Sequence, residues 1–444
     1  MTDQAARTLR WGEAIALYTR GRVLAMLFLG FSAGLPLPLT GFTLRQWFSE
    51  ADLQLATIGF TAWIGLSYAF KFAWSPIIDR VSVPILGKRL GHRRGWMLPI
   101  QAGLMMAIAA MSLFDPRVAP LYVAMAAVAV AFLSASQDIV IDAYRIESLR
   151  DEEQGAGLAA YIWGYRVALL AATSGALLLV REFDTGWAGV YVAMALLMAV
   201  GIATCLIVRE PPTQAGARLA ARSAGEWFAN AVARPFADFA KRDGWIMILA
   251  FVALFKLGEA LAGVMTNPLY RSVGYSREQV AAISAGFGFF MTLGGVAVGG
   301  VLVAKLGIAR ALIGTGFLQM ASNLMYVAVA NGGGDIQILW LQVGVENFTD
   351  GLADAAFVAY LSRLTNVAFT ATQYALLSSL AAIPLRTLGG FSGVLAQWFG
   401  WTDFFLLTMA AAVPGMAIML WLLKRYPPPE RVGAAPSPAG GIEG

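Results

Sequence analysis

Ser134-Ala135-Ser136-Gln137-Asp138-Ile139-Val140-Ile141-Asp142-Ala143-Tyr144-Arg145 places two carboxylates four residues apart inside an otherwise apolar run. On a helix that spacing puts Asp138 and Asp142 on one face, one turn apart. A charge at membrane depth is costly unless it meets a partner or a cavity, so the pair marks a functional candidate. The pattern returns in Asp350-Gly351-Leu352-Ala353-Asp354-Ala355, and in both copies a Leu (Leu149, Leu361) follows seven residues after the second Asp. The chain therefore reads as two related halves.

The composition sets the surroundings. The 444 residues are 58% hydrophobic and 13% charged. A soluble protein carries roughly twice that charge, about 25%. Apolar segments fall at 22–44, 56–80, 95–114, 118–148, 156–180, 187–209, 245–270, 277–304, 309–330, 336–363, 368–397 and 401–425. Each reaches about the 20 residues a bilayer needs, and without the alternation of a β-barrel only helices can span repeatedly. The expectation is an all-α integral membrane protein of twelve transmembrane helices. The single Cys (Cys205) and single His (His92) exclude a disulfide scaffold and leave little material for thiolate-metal or histidine chemistry. No metal or cofactor is expected. Residues 1–19 contain no apolar core or cleavage site, so no signal peptide is expected.

Twenty-three Lys and Arg fall on one side of this arrangement and five on the other; Lys71, Arg166, Lys256 and Arg386 lie within spans. The asymmetry predicts both termini in the cytoplasm. The chain divides into an N-terminal six-helix half (1–210), a cytoplasmic linker (211–244), a C-terminal six-helix half (245–426) and a disordered, Pro- and Gly-rich tail (427–444). Within the linker, 223–241 groups Trp227, Phe228, Val232, Phe236 and Phe239 near basic residues, which predicts an amphipathic helix on the inner leaflet. Two six-span halves related by parallel repetition, with both ends inside, predict the major facilitator fold, in which one half rocks against the other around a central substrate.

Several motifs qualify this picture. Asp79-Arg80 ends the second segment, and Arg93-Arg94 follows in a basic loop; the four suit a gating latch or plain anchoring. Lys71 either snorkels to the surface or pairs with a cavity carboxylate. Arg166 is a counter-charge to Asp138 or Asp142, a fork for a substrate carboxylate, or a fixed structural partner. Lys256 and Glu259 can pair with each other at three residues' separation. Helix breaks are expected at Gly34-Leu35-Pro36-Leu37-Pro38-Leu39-Thr40-Gly41 and at Asn267-Pro268, equivalent positions of the two halves.

Phe70-Lys71-Phe72-x-Trp74-Ser75-Pro76-x-x-Asp79-Arg80, Arg93-Arg94-Gly95-Trp96, the Ser134–Ala143 stretch, Gly164-Tyr165-Arg166, Lys256-Leu257-Gly258, Val345-Glu346-Asn347-Phe348, Ala355-Ala356-Phe357-Val358-Ala359 and Ala371-Thr372-Gln373-Tyr374-Ala375-Leu376-Leu377-Ser378 resemble the AmpG family of muropeptide permeases. That family also includes acetyl-CoA transporters. The resemblance implies proton-dependent import of anhydro-muropeptides across the bacterial inner membrane for wall recycling and β-lactamase induction. Its departures are Glu259 where Asp is expected and Asp354 where a small residue is expected.

Proton coupling is assigned to Asp138 and Asp142, with Glu259, Asp350 and Asp354 as further candidates. Tyr68, Trp74, Tyr161 and Tyr165 can meet sugar faces. Lys71, Arg166, Lys256 and Arg386 can meet carboxylates, with Gln137, Glu346, Asn347 and Gln373 as polar contacts. The expected partners are a small-molecule substrate, protons and the bilayer, without nucleic acid, and a monomer suffices. Another solute in the same fold (acetyl-CoA, a siderophore, a drug) is the alternative. A membrane-embedded transferase is the remote one, since the outer loops are short.

Overall fold

The computed structural model describes residues 11–53, 64–182, 186–212 and 233–426. These contain helices and turns and no strand. Twelve helical stretches follow in order: α1 (Gly21–Phe48), α2 (66–80), α3 (His92–Met111), α4 (Pro120–Ser148), α5 (Asp151–Val180), α6 (Gly186–Ile207), α7 (Trp245–Val273), α8 (Ala282–Leu306), α9 (Ile308–Asn331), α10 (Ile336–Arg363), α11 (Thr370–Thr387, continued to 399) and α12 (401–425). The boundary between the last two is Gly400, whose φ of +73° interrupts a helix otherwise continuous from Ser392 to Arg425. That left-handed conformation is open to glycine at little cost. The expected segments and the observed helices agree to within a few residues, and for α10 to the residue.

The amphipathic helix expected at 223–241 lies partly outside the described residues, which resume at 233; Arg234–Ala240 is helical, with Phe239 buried. Residues 56–63 of the second expected segment and the tail 427–444 also lie outside them.

The breaks in α1 fall where the prolines sit. The chain passes from Gly21–Gly34 to Pro36–Thr40 to Phe42–Glu50. Proline removes a backbone donor, and beyond the break the Thr40 hydroxyl donates to the carbonyls of Pro36 (3.1 Å) and Leu37 (3.3 Å). In α7 the expectation is corrected. Leu257–Val273 stays helical through Pro268, flanked by buried Leu269 and Tyr270. The interruption falls about three turns from the start, at Phe255-Lys256, where Lys256 has φ −98° and ψ 16°. α2 is interrupted in the same way at Phe70 (φ −97°, ψ 6°), next to Lys71.

One buried core joins α1 to α6 through residues such as Met26, Leu104, Ala131, Ile139 and Tyr191. Two more serve α7 to α12, around Phe251, Phe357 and Tyr360 and around Tyr326, Phe404 and Phe405. Between helices the closest approaches use glycine. A Cβ on Gly164 of α5 would collide with the Leu27 carbonyl of α1 and come within 2.7 Å of Phe31 N. Small residues at such contacts let two backbones touch.

Gly164→Val should therefore separate α5 from α1 and lower the thermal unfolding midpoint of the detergent-solubilised protein, with a cost of about 1–3 kcal/mol. Gly263→Val, where nothing lies within 4 Å of the new Cβ, should leave the midpoint nearly unchanged.

Candidate functional site

The repeated carboxylate pairs lie on α4 and α10, and a cation reaches each from a neighbouring helix at an interruption. Lys71 Nζ lies 3.8 Å from Asp138 Oδ2. Asp142 pairs within its own helix, 3.5 Å from Arg145. Around them stand Tyr68 and Trp74 of α2 and Tyr161 and Tyr165 of α5. Trp74 Nε1 donates to Ser136 Oγ at 3.0 Å, and the two tyrosine rings are 6.1 Å apart. Tyr161 is close enough to Asp138 and Asp142 to feel both charges. Gln137 faces away from this group. It is fully buried and donates to Ser32 of α1 at 2.9 Å, where Gln101 of α3 also reaches at 3.4 Å.

On α10 the charge is unbalanced. Lys256 Nζ meets Glu259 at 2.9 Å, Asp350 at 3.2 Å and Asp354 more closely still. One ammonium thus serves three carboxylates. Gln319 of α9 donates to both Glu259 (2.8 Å) and Asp350 (3.1 Å). Glu346, one turn before Asp350, accepts from Gln342 (3.1 Å), which in turn accepts from Tyr270 (2.5 Å). Glu346, Asp350 and Asp354 are spaced i, i+4, i+8, one stripe about 12 Å long down α10. A small cleft between α7, α9, α10 and α12 opens onto Glu259, Gln319, Glu346 and Asp350. Asn347, on the neighbouring face, accepts from Thr292 of α8 at 3.0 Å.

Arg166 pairs with neither Asp138 nor Asp142 and forms no ion pair among the described residues. A sequence position gives depth in the bilayer but not the rotation of α5, and that rotation selects the neighbour. Gln373 donates to the linker, at Asp238 Oδ2 and the Pro235 carbonyl, both at 3.0 Å. The Arg386 side chain lies outside the described residues. Gln319 and Glu147 were not singled out from the sequence, although each is a polar side chain within an apolar helix.

At the end of the bundle that carries the linker, the halves are locked together. Asp79 accepts from the backbone N–H groups of Ala371 (3.3 Å) and Thr372 (2.9 Å) and from the Thr372 hydroxyl (2.9 Å). It caps α11, where a carboxylate is favoured by the helix dipole. The partner of Asp79 is Arg93 (2.8 Å), itself gripped by Glu147 at 2.6 Å. Arg80 instead lies over the Phe369 ring at 4.7 Å, and Arg94 donates to the carbonyls of Cys205 and Leu206. Arg145 reaches Ser362 (3.2 Å) and stacks on Tyr374, and Arg363 pairs with Asp151. Tyr18 donates to the Ala297 carbonyl (2.7 Å) and, nearer the middle, Trp163 to that of Leu293 (3.0 Å). Among the described residues, the hydrogen bonds and ion pairs between the halves stop at this level. The space between them is closed at the linker end.

The profile of the Major Facilitator Superfamily matches residues 23–384. Two solved members share the fold: FucP in its outward conformation (TM-score 0.63, 12% identity, 90% of this chain and 97% of that one) and the human organic anion transporter MFSD10 (0.60, 12%, 93% and 100%). A helical bundle of two joined halves with charges at its centre is thus a transporter of this class, not an enzyme. At closer range the chain is 38% identical to the anhydromuropeptide permease of Escherichia coli K12, over 92% of this chain and 81% of the relative. It is 32% identical to putative transporter AmpG 4 of Rickettsia felis, over 91% and 97%. The chain belongs to the AmpG family of the Major Facilitator Superfamily.

Asp79→Ala removes the cap of α11 and leaves Arg93 short of one anion. Loss of the cap alone is worth about 1 kcal/mol, enough to shift a two-state population several-fold. Spin labels at exposed positions 89 and 310 should show a new, longer distance in the variant that is minor in the parent.

Proposed function

We propose that this protein imports anhydro-muropeptides across the bacterial inner membrane by proton-coupled alternating access, with both termini and the 211–244 linker cytoplasmic. The observation that carries the reading is the 38% identity to the Escherichia coli permease across nearly the whole membrane region. With the linker end inside, the contacts at that end would close the cytoplasmic side, as a state that receives substrate from outside requires. The excess of basic residues on the linker side supports that orientation.

The chemistry of the cavity fits the substrate. Sugar rings present flat apolar faces, which Tyr161, Tyr165, Trp74 and Tyr68 can meet. The peptide carries carboxylates, and Arg166 presents a guanidinium without an ion-pair partner among the described residues. A fork of five donors suits a carboxylate bidentately.

Coupling follows from the charge count. Three carboxylates around Lys256 leave an excess of negative charge in a medium that tolerates little, and a proton is the simplest way to reduce it. Asp350 and Asp354 on α10, with Glu259, form this group. Asp138, with Lys71 alone opposite, is the matching candidate on α4. Asp79, Arg80, Arg93 and Arg94 would act at the gate, whose contacts must break for the cavity to open inward.

Cells lacking their own permease and expressing this chain should accumulate labelled anhydro-disaccharide, with and without its peptide, and an uncoupler should stop accumulation. Arg166→Gln should lower uptake of the peptide-bearing ligand about tenfold or more, the loss of one charge-assisted contact, and affect the bare disaccharide less. Absence of uptake of either ligand, with the protein present in the membrane, would contradict the assignment.

A further inference from the structure

At the linker end, on the flank of the N-terminal half, α1, α4 and the end of α6 enclose a groove of about 520 Å3. That falls within the range of roughly 300–1,000 Å3 typical of small-molecule sites. No residue of the candidate transport site lines it. Its two ends differ in chemistry. Toward the middle of the bundle it is lined by Leu24, Ala25, Phe28, Ile207 and Val208. Leu24 (43%), Phe28 (48%) and Ile207 (82%) are exposed, so this wall faces surroundings that must be apolar.

The linker end of the groove is basic and incompletely satisfied. Arg22 and Arg209 stand at its rim, both exposed. Arg22 uses one of its five donors on the Ser148 carbonyl, at 3.1 Å. Ser148 lines the groove and is 9% exposed, and its hydroxyl is buried and has no hydrogen-bond partner. A buried hydroxyl left without a partner costs free energy. The local acid does not supply the missing partner. Glu210 also lines the groove, but its two carboxylate oxygens are engaged by the backbone N–H groups of Arg93 (2.7 Å) and Arg94 (3.0 Å), and burial pushes its carboxyl above the ordinary range. The wall itself is fixed, because Tyr144 donates to the Arg209 carbonyl at 2.9 Å and ties α4 to the end of α6.

An occupant must therefore bring an anionic oxygen acceptor to Arg22, Arg209 and Ser148 and lay an apolar chain along Leu24, Phe28 and Ile207. The order of these features, charge at the linker end and apolar surface toward the midplane, is that of a lipid in the leaflet on the linker side. We propose that this groove is a binding site for one phospholipid with an anionic headgroup, its phosphate held by Arg22 and Arg209 and one acyl chain lying against α1 and α6. Basic pockets between membrane helices bind anionic headgroups through charge-assisted hydrogen bonds.

The test is native mass spectrometry of the purified, delipidated full chain with added phosphatidylglycerol or phosphatidylcholine of identical acyl chains. The wild type should take up one phosphatidylglycerol in preference to phosphatidylcholine. The Arg22→Gln/Arg209→Gln double variant should lose about tenfold in phosphatidylglycerol affinity, with phosphatidylcholine binding unchanged. Arg310→Gln, a basic substitution at the same end but in the other half, should leave the preference intact. Ser148→Ala, which keeps every charge, should weaken binding measurably. Each variant should elute as a monodisperse peak with a thermal midpoint near that of the parent. Equal phosphatidylglycerol binding by parent and double variant overturns the proposal. So does a parent with no preference between the lipids, the result expected if the chain's own 213–232 covers the groove.

Discussion

The bundle is organised by the difficulty of keeping a charge inside a bilayer. Three cations described within it are answered by carboxylates, and Arg166 is not. Lys71 faces Asp138, Arg145 faces Asp142, and Lys256 faces Glu259, Asp350 and Asp354. Such pairs are costly to desolvate and are retained where they do something. The two halves answer the constraint unequally. The N-terminal cluster is matched nearly one for one, while the C-terminal cluster gathers three carboxylates around one ammonium. That imbalance makes the second cluster the more responsive to an added proton or to a substrate charge nearby.

Backbone geometry and charge placement depend on each other here. Lys71 directly follows an interruption at Phe70 and Lys256 sits at one, and Phe70 and Lys256 have nearly the same backbone angles. The interruption turns the side chain toward the facing carboxylate helix. It also frees backbone groups, which membrane proteins tolerate where a segment borders a cavity. At the linker end the same economy is visible in Asp79, which caps α11 and holds Arg93 at once. One carboxylate there joins two halves, so its release would free both.

Much of this was legible in the sequence. The apolar runs gave the helices, since length and hydropathy decide a span with little help from tertiary structure. The repeated Asp pairs marked α4 and α10 because a carboxylate has no reason to be there by chance. Local rules also read the α1 break correctly. They misplaced the one in α7, weighing Pro268 above Phe255-Lys256: a proline that a helix runs through looks the same in sequence as one that breaks it. What sequence could not supply was rotation. Of the roles open to Arg166, counter-charge to Asp138 or Asp142, a fork for a substrate carboxylate, or a structural pair, neither aspartate is its ion-pair partner, because its neighbour depends on how α5 turns. Gln373 was grouped with substrate contacts and is engaged by Asp238 of the linker. Gln319, which bridges Glu259 and Asp350, is a single polar residue in an apolar helix and acquires meaning only once α7 and α10 are beside it.

The central claim is that substrate movement and proton movement share the carboxylates around Lys256. It is tested most directly by purified protein in liposomes loaded with a pH-sensitive dye and held at zero membrane potential. Adding anhydro-muropeptide outside should acidify the interior for the wild type. With Asp350→Asn it should not, even though labelled substrate still exchanges across the membrane. Substrate entry without acidification in the wild type, or unchanged acidification in Asp350→Asn, would contradict the account.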